Sequence, residues 1–133
     1  MKYRLMDILA CPYDKHFPLE LYVLKVNKYE DRNVKFKQKP ACELYCEYRK
    51  KYVKDIGEED PGCEECIKYE VDLGILFCPE CNRWYPIIDE IPILLPDEMR
   101  NKKEDLEFLK KNKDGIPSKI IEKGKPWNLS MEG

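Results

Sequence analysis

Residues 78–97 read Cys78-Pro79-Glu80-Cys81-Asn82-Arg83-Trp84-Tyr85-Pro86-Ile87-Ile88-Asp89-Glu90-Ile91-Pro92-Ile93-Leu94-Leu95-Pro96-Asp97, and the fold is read outward from here. A Cys-x-x-Cys turn places two sulfurs on one side of a tight bend, where backbone N–H groups can face the thiolates. Behind it, residues 84–88 and 91–95 are aromatic and β-branched runs joined through Asp89-Glu90, which reads as two short strands. Trp84 is expected in the core and Tyr85 at its rim.

Upstream, residues 68–77 suggest a strand or a hairpin with Gly74 at the bend, and residues 19–26 alternate apolar and polar as a strand does. Residues 3–9 make a short helical turn with Leu5, Ile8 and Leu9 on one side. Cys11-Pro12 ends it, because proline disfavours helix in the residue before it. Residues 41–54, rich in Tyr, Glu and Lys, read as helical. Downstream, Asp97 is expected to cap a helix over about residues 98–113, and a second helical turn starts at Pro117, a favoured first-turn residue. Trp127 and Leu129 are apolar anchors on a polar tail and are expected to fold back on the body.

The whole chain has 133 residues, of which 43% are hydrophobic and 38% charged. That suits one small domain with an insertion. It contains no threonine, serine only at Ser118 and Ser130, one histidine (His16), and six scattered glycines. Such poverty argues against a Ser/His triad, a histidine acid–base pair or a Gly-rich phosphate loop. Acid residue Asp7 interrupts the start before a signal-peptide run develops, and the longest apolar run falls far short of a membrane span. A cytoplasmic location is therefore expected.

Seven cysteines are many for this length. In a reducing compartment clustered thiols read first as metal ligands, although a Lys/Glu-rich chain with a single glutamine (Gln38) has a thermophile's composition and keeps disulfides open. Cys42-x3-Cys46 and Cys63-x2-Cys66 have structural zinc spacing by themselves. A second set pairs Cys11-x-x-Asp14 with Cys78-x-x-Cys81; Asp14 stands where a cysteine is expected, and His16 is the alternative ligand. One or two structural zinc ions are expected. Pairing remains open on spacing, because Cys63/Cys66 and Cys78/Cys81 could also form one ribbon. Acids flank Cys63 and Cys66, so neither is set up as a low-pKa redox thiol.

The net charge is −2 and the isoelectric point is near 5.6, which offers no global field for nucleic acid. Residues 25–39 are locally basic, however, and residues 55–65 acidic. The basic segment, with Tyr29 and Phe36, keeps a zinc-ribbon nucleic-acid-binding or transcription-type module as the alternative function.

Residues 78–97, taken with Leu5-Met6-Asp7-Ile8-Leu9-Ala10-Cys11-Pro12 and Phe17-Pro18-Leu19, resemble the zinc-ribbon-like multifunctional methyltransferase activator subunit, in an archaeal form. The resemblance covers residues 1–24 and 67–100. It implies an α+β protein: a small zinc-ribbon-like antiparallel β core (1–24 and 67–100), a Cys-rich, partly helical insertion (25–66) and a C-terminal helical tail (101–133). It implies a non-catalytic partner that activates and stabilises S-adenosylmethionine-dependent methyltransferases acting on tRNA and other translation components. The two chains would form heterodimers, and RNA would be reached only through the partner. The core metal set falls on Cys11, Asp14, Cys78 and Cys81, with Asp14, Asn82 and Glu90 departing from the family pattern. Ile91, Pro92, Ile93, Leu94 and Leu95 then gain a use, since a proline-marked apolar strand at a sheet edge can be completed by a partner's strand.

Overall fold

The structure is a computed structural model that describes residues 1–39, 41–58 and 60–132. Pro40 and Glu59, in the segment read as an insertion, and Gly133 in the tail lie outside the described residues. The chain is α+β. Four antiparallel strands, β1 (Glu20–Lys28), β4 (Tyr69–Phe77), β5 (Trp84–Ile88) and β6 (Ile91–Pro92), form one sheet in the order β1-β4-β5-β6. A separate two-stranded hairpin joins β2 (Tyr45–Cys46) to β3 (Lys51–Tyr52).

Strand β4 is buried along most of its length because both sheet faces are covered. Successive strand residues point to opposite faces, and two cores result. Ile75, Phe77 and Trp84 face Leu106, Leu109, Ile116 and Ile120, contributed mainly by α2 (Lys102–Asn112) and α3 (Ser118–Lys123). On the other face Leu76, Tyr85 and Ile87 pack with Met1, Met6, Cys11, Leu19 and Cys78. Fully burying an aliphatic side chain contributes about 1.5–3 kcal/mol, so the sheet is stabilised from both sides.

Gly74 does not bend a hairpin: β4 runs straight through it. A Cβ there would lie 2.7 Å from the Tyr22 carbonyl oxygen, so glycine is required by the close approach of β1. Next to this contact the β1–β4 ladder shifts register at Leu24, which lets Leu24 pack into the helix-side core. Tyr85 is not at the rim but fully buried.

The expected helix over residues 41–54 is absent; that segment is the β2–β3 hairpin followed by a 3-10 turn, Val53–Asp55. The Asp7 carboxylate takes the backbone N–H groups of Glu43, Leu44 and Tyr45 at 2.7–2.8 Å. Helix α2 begins at Lys102, not near residue 98, and Asn101, whose side chain accepts from the Glu104 N–H, caps it. Asp97 instead pairs with Arg83 through two nitrogens at 2.8–3.1 Å. Trp127 folds back as expected, with its carbonyl accepting from the Trp84 indole and its own indole donating to Asp105.

Candidate metal centre

Two turns of nearly identical backbone face each other across the N-terminal side of the sheet. In the first, the Lys15 N–H donates to the Cys11 carbonyl at 2.9 Å and the Cys11 N–H to the His16 carbonyl at 3.0 Å. In the second, Asn82 N–H donates to the Cys78 carbonyl at 2.8 Å and Cys78 N–H to the Arg83 carbonyl at 2.9 Å. Lys15 and Asn82 both have φ of 64°, the left-handed conformation that closes each knuckle. Asparagine adopts it readily. Lysine does not, and there the Asp14 carboxylate accepts the His16 N–H at 3.0 Å and braces the turn.

The knuckles bring together Cys11, Asp14, Cys78 and Cys81, with one ligand atom from each and all four within 4.8 Å of one another. Tetrahedral zinc with Zn–S near 2.3 Å requires an S···S edge of about 3.8 Å, and with Zn–O near 2.0 Å an S···O edge of about 3.5 Å. The Cys11–Cys81 sulfurs are 3.6 Å apart and the Asp14 oxygens lie 3.4 and 3.5 Å from the Cys78 sulfur. Those two edges have tetrahedral length, and all four ligand atoms are close enough to hold one ion. Bound there, zinc would supply a structural cross-link between the start of the chain and the β4–β5 connection. His16 is not in this group; it contributes its backbone N–H to Asp14.

The surroundings are built for thiolates. Burial pushes the Cys78 thiol up to about 12 while the N–H groups of Cys81 and Glu80 favour its charged form. The Arg83 guanidinium donates to Cys81 and is held by Asp97, and it lies 3.6 Å from the centre of the Tyr13 ring. The Tyr85 hydroxyl stands 3.7 Å from the Cys11 sulfur, and burial raises its pKa. The His16 N–H bond leads the influences holding the Asp14 carboxyl below the usual carboxylate range. Tyr85 and Arg83 were not singled out as site residues from sequence, although their positions after Cys81 carry the only available signal.

The other four cysteines sit elsewhere. Cys42, Cys46, Cys63 and Cys66 line one small cavity in the central segment, of about 20 Å³, together with Lys2 and Arg4. They are gathered less tightly than the core set, which is the group meeting the 4.8 Å closeness among the described residues. All seven cysteines are free thiols. Burial pushes Cys42 up to about 11 and Cys66 to about 12.

Of the apolar run, Ile91 is 61% exposed, and Leu94 packs partly against the core. Strand β6 is the sheet's edge and pairs with β5 only through Ile87–Pro92 and Ile88–Ile91. The preceding turn holds Asp89 and Glu90 at φ of 52° and 68°. Glutamate is costly there, and Glu90 is anchored by carboxylate bonds from Asn27 and Tyr29 and by a carbonyl bond from the Met1 ammonium. Ile8 is 72% exposed and lines a shallow depression with Met1, Asp7 and Glu90.

The basic segment is largely neutralised. Lys25 pairs with Asp72, Lys28 with Glu30 and Glu65, Arg32 with Glu70, and Lys39 with Glu64. Tyr29 and Phe36 are likewise engaged, by Glu90 and by Arg4. No helix among the described residues is long and apolar enough to cross a membrane.

The comparison with curated proteins gave no match. A protein-family model described as Trm112p-like protein matches residues 2–90, more than half of the chain. The chain belongs to that family.

Proposed function

We propose, from membership of the Trm112p-like family, that this chain is the activating and stabilising subunit of S-adenosylmethionine-dependent methyltransferases that act on tRNA and other translation components. The family's general role is that of a methyltransferase activator. In this reading catalysis and the methyl donor belong to the partner, the pair is a heterodimer in the cytoplasm, and RNA is met only through the partner. The β core of residues 1–24 and 67–100 carries the docking edge. The insertion (25–66) and tail (101–133) are its additions.

The observation that carries the reading is the exposed apolar residue Ile91 on β6, an edge strand that pairs with β5 through two residue pairs. A partner strand added there would bury Ile91 and continue the sheet. Residues 91–95 and the metal set Cys11, Asp14, Cys78 and Cys81 are the residues assigned to this role, the second holding the first in place. Affinity purification of the tagged full chain from its native cell, washed at high salt, is expected to recover methyltransferases. Each recovered enzyme should be more soluble or more active with the chain than without it. Recovery of no methyltransferase, or methyl transfer by the isolated chain, would overturn the proposal. The nucleic-acid alternative finds less support, since four of the basic residues in 25–39 are already paired with acids.

A further inference from the structure

We propose that Cys42, Cys46, Cys63 and Cys66 form a second structural zinc site, separate from the core site and filled independently of it. The four thiols come from three places in the chain: the loop before β2, β2 itself, and the short helix α1 (Cys63–Cys66). They nevertheless line a single small cavity of about 20 Å³. That volume admits one water-sized sphere and no organic ligand, while four cysteines without histidine or carboxylate are a closed structural zinc set.

The polar surroundings match a thiolate cluster. The Ala41 N–H donates to the Cys63 sulfur at 3.3 Å. The Tyr48 and Arg49 N–H groups donate to the Cys46 sulfur, two and three residues on, the same offsets by which Glu80 and Cys81 serve Cys78 in the core knuckle. Lys50, the next residue, has φ of 55°, again matching Lys15 and Asn82. Zinc with four thiolates carries a net double negative charge, and Lys2 and Arg4 line the cavity to offset it. A buried charge without such cations would be costly.

The segment also needs a cross-link. Its hairpin is two residue pairs long, and two-stranded hairpins are marginal on their own. Among the described residues between 41 and 67, the buried apolar ones are Cys46, Ile56, Pro61, Cys63 and Ile67, two of them the proposed ligands. Apolar burial there is too small to order the segment, and a metal that draws the thiols to about 2.3 Å supplies the missing stabilisation. The site does not rest on the methyltransferase reading.

Elemental analysis and zinc X-ray absorption on the purified full chain test it. The expected result is two zinc ions per chain, with an average first shell of seven sulfurs to one oxygen over the pair. Cys63→Ser with Cys66→Ser is expected to lose one zinc and raise the oxygen share. Asp14→Ala with Cys78→Ser is expected to retain one zinc bound by four sulfurs. If either double variant fails to fold, the wild-type stoichiometry and sulfur count still decide. A single zinc bound by three sulfurs and one oxygen overturns the proposal, as does an intact mass short of hydrogens that shows these cysteines bridged. A single zinc with four sulfurs upholds it and places the failure in the core site.

Discussion

Ile91→Asp should separate folding from partner binding. Ile91 is 61% exposed on the edge strand, so its substitution is expected to change stability by no more than about 0.5 kcal/mol, as at other surface positions. Full burial of an isoleucine is worth about 1.5–3 kcal/mol. With 61% of the side chain still open, about 1–2 kcal/mol remains for a partner to gain. Ile91→Ala should therefore weaken binding about 5- to 30-fold, taking 1.4 kcal/mol per factor of ten. Ile91→Asp adds an unpaired carboxylate to the buried contact, a further penalty of several kcal/mol, and is expected to weaken binding more than about 100-fold. Calorimetric titration of a methyltransferase that binds the wild-type chain reads this directly, with urea unfolding of the free variant as the control. Unchanged affinity for Ile91→Asp would show that the β6 edge is not the docking surface.

The remaining predictions concern stability and metal. Gly74→Ala puts a methyl group 2.7 Å from the Tyr22 carbonyl and is expected to cost about 1–3 kcal/mol in urea unfolding; a neutral result would mean that β1 can move aside. Asp97 has its pKa held below the ordinary carboxylate value, first by its hydrogen bonds from Arg83. Its contribution is thus present above that ordinary value and lost as pH falls through the lower folded one. Asp97→Asn should cost about 0.5–1 kcal/mol near neutrality and progressively less on acidification, and an equal cost at both ends would contradict the ion-pair account. Zinc binding displaces protons from thiols such as Cys78, raised to about 12 by burial. Apparent zinc affinity should rise with pH when measured by competition with a chelator, and a flat profile would argue against thiolate ligation.

Strands β1 and β5 and the start of β6 were readable because their apolar and aromatic runs carry the strand period themselves. The knuckle at Cys78 was readable for a similar reason: its ligands, its turn and its left-handed Asn82 are neighbours in the chain. What failed depended on distant partners. The Asp7 carboxylate that holds the amides of residues 43–45 lies some 36 residues away from them, and the segment read as helical is a hairpin. Residues 68–77 read as a strand or as a hairpin bent at Gly74; the strand holds, and the Tyr22 carbonyl that excludes a side chain at Gly74 lies on another strand. Tyr85 was placed at the rim because alternation shows that it opposes Trp84, not that the second face is also covered.

The sequence by itself determined the class of the protein: an α+β chain with a Cys-x-x-Cys knuckle and an apolar strand pair behind it. Local spacing and side-chain period suffice for that. Only the tertiary structure decided that Asp14, not His16, joins Cys11, Cys78 and Cys81, and that the other four thiols share a separate cavity. Cysteine spacing limits which residues can meet within a turn. Which turns meet one another is set by the sheet that carries Cys78 and by the packing of Met6, Cys11 and Leu19 against it.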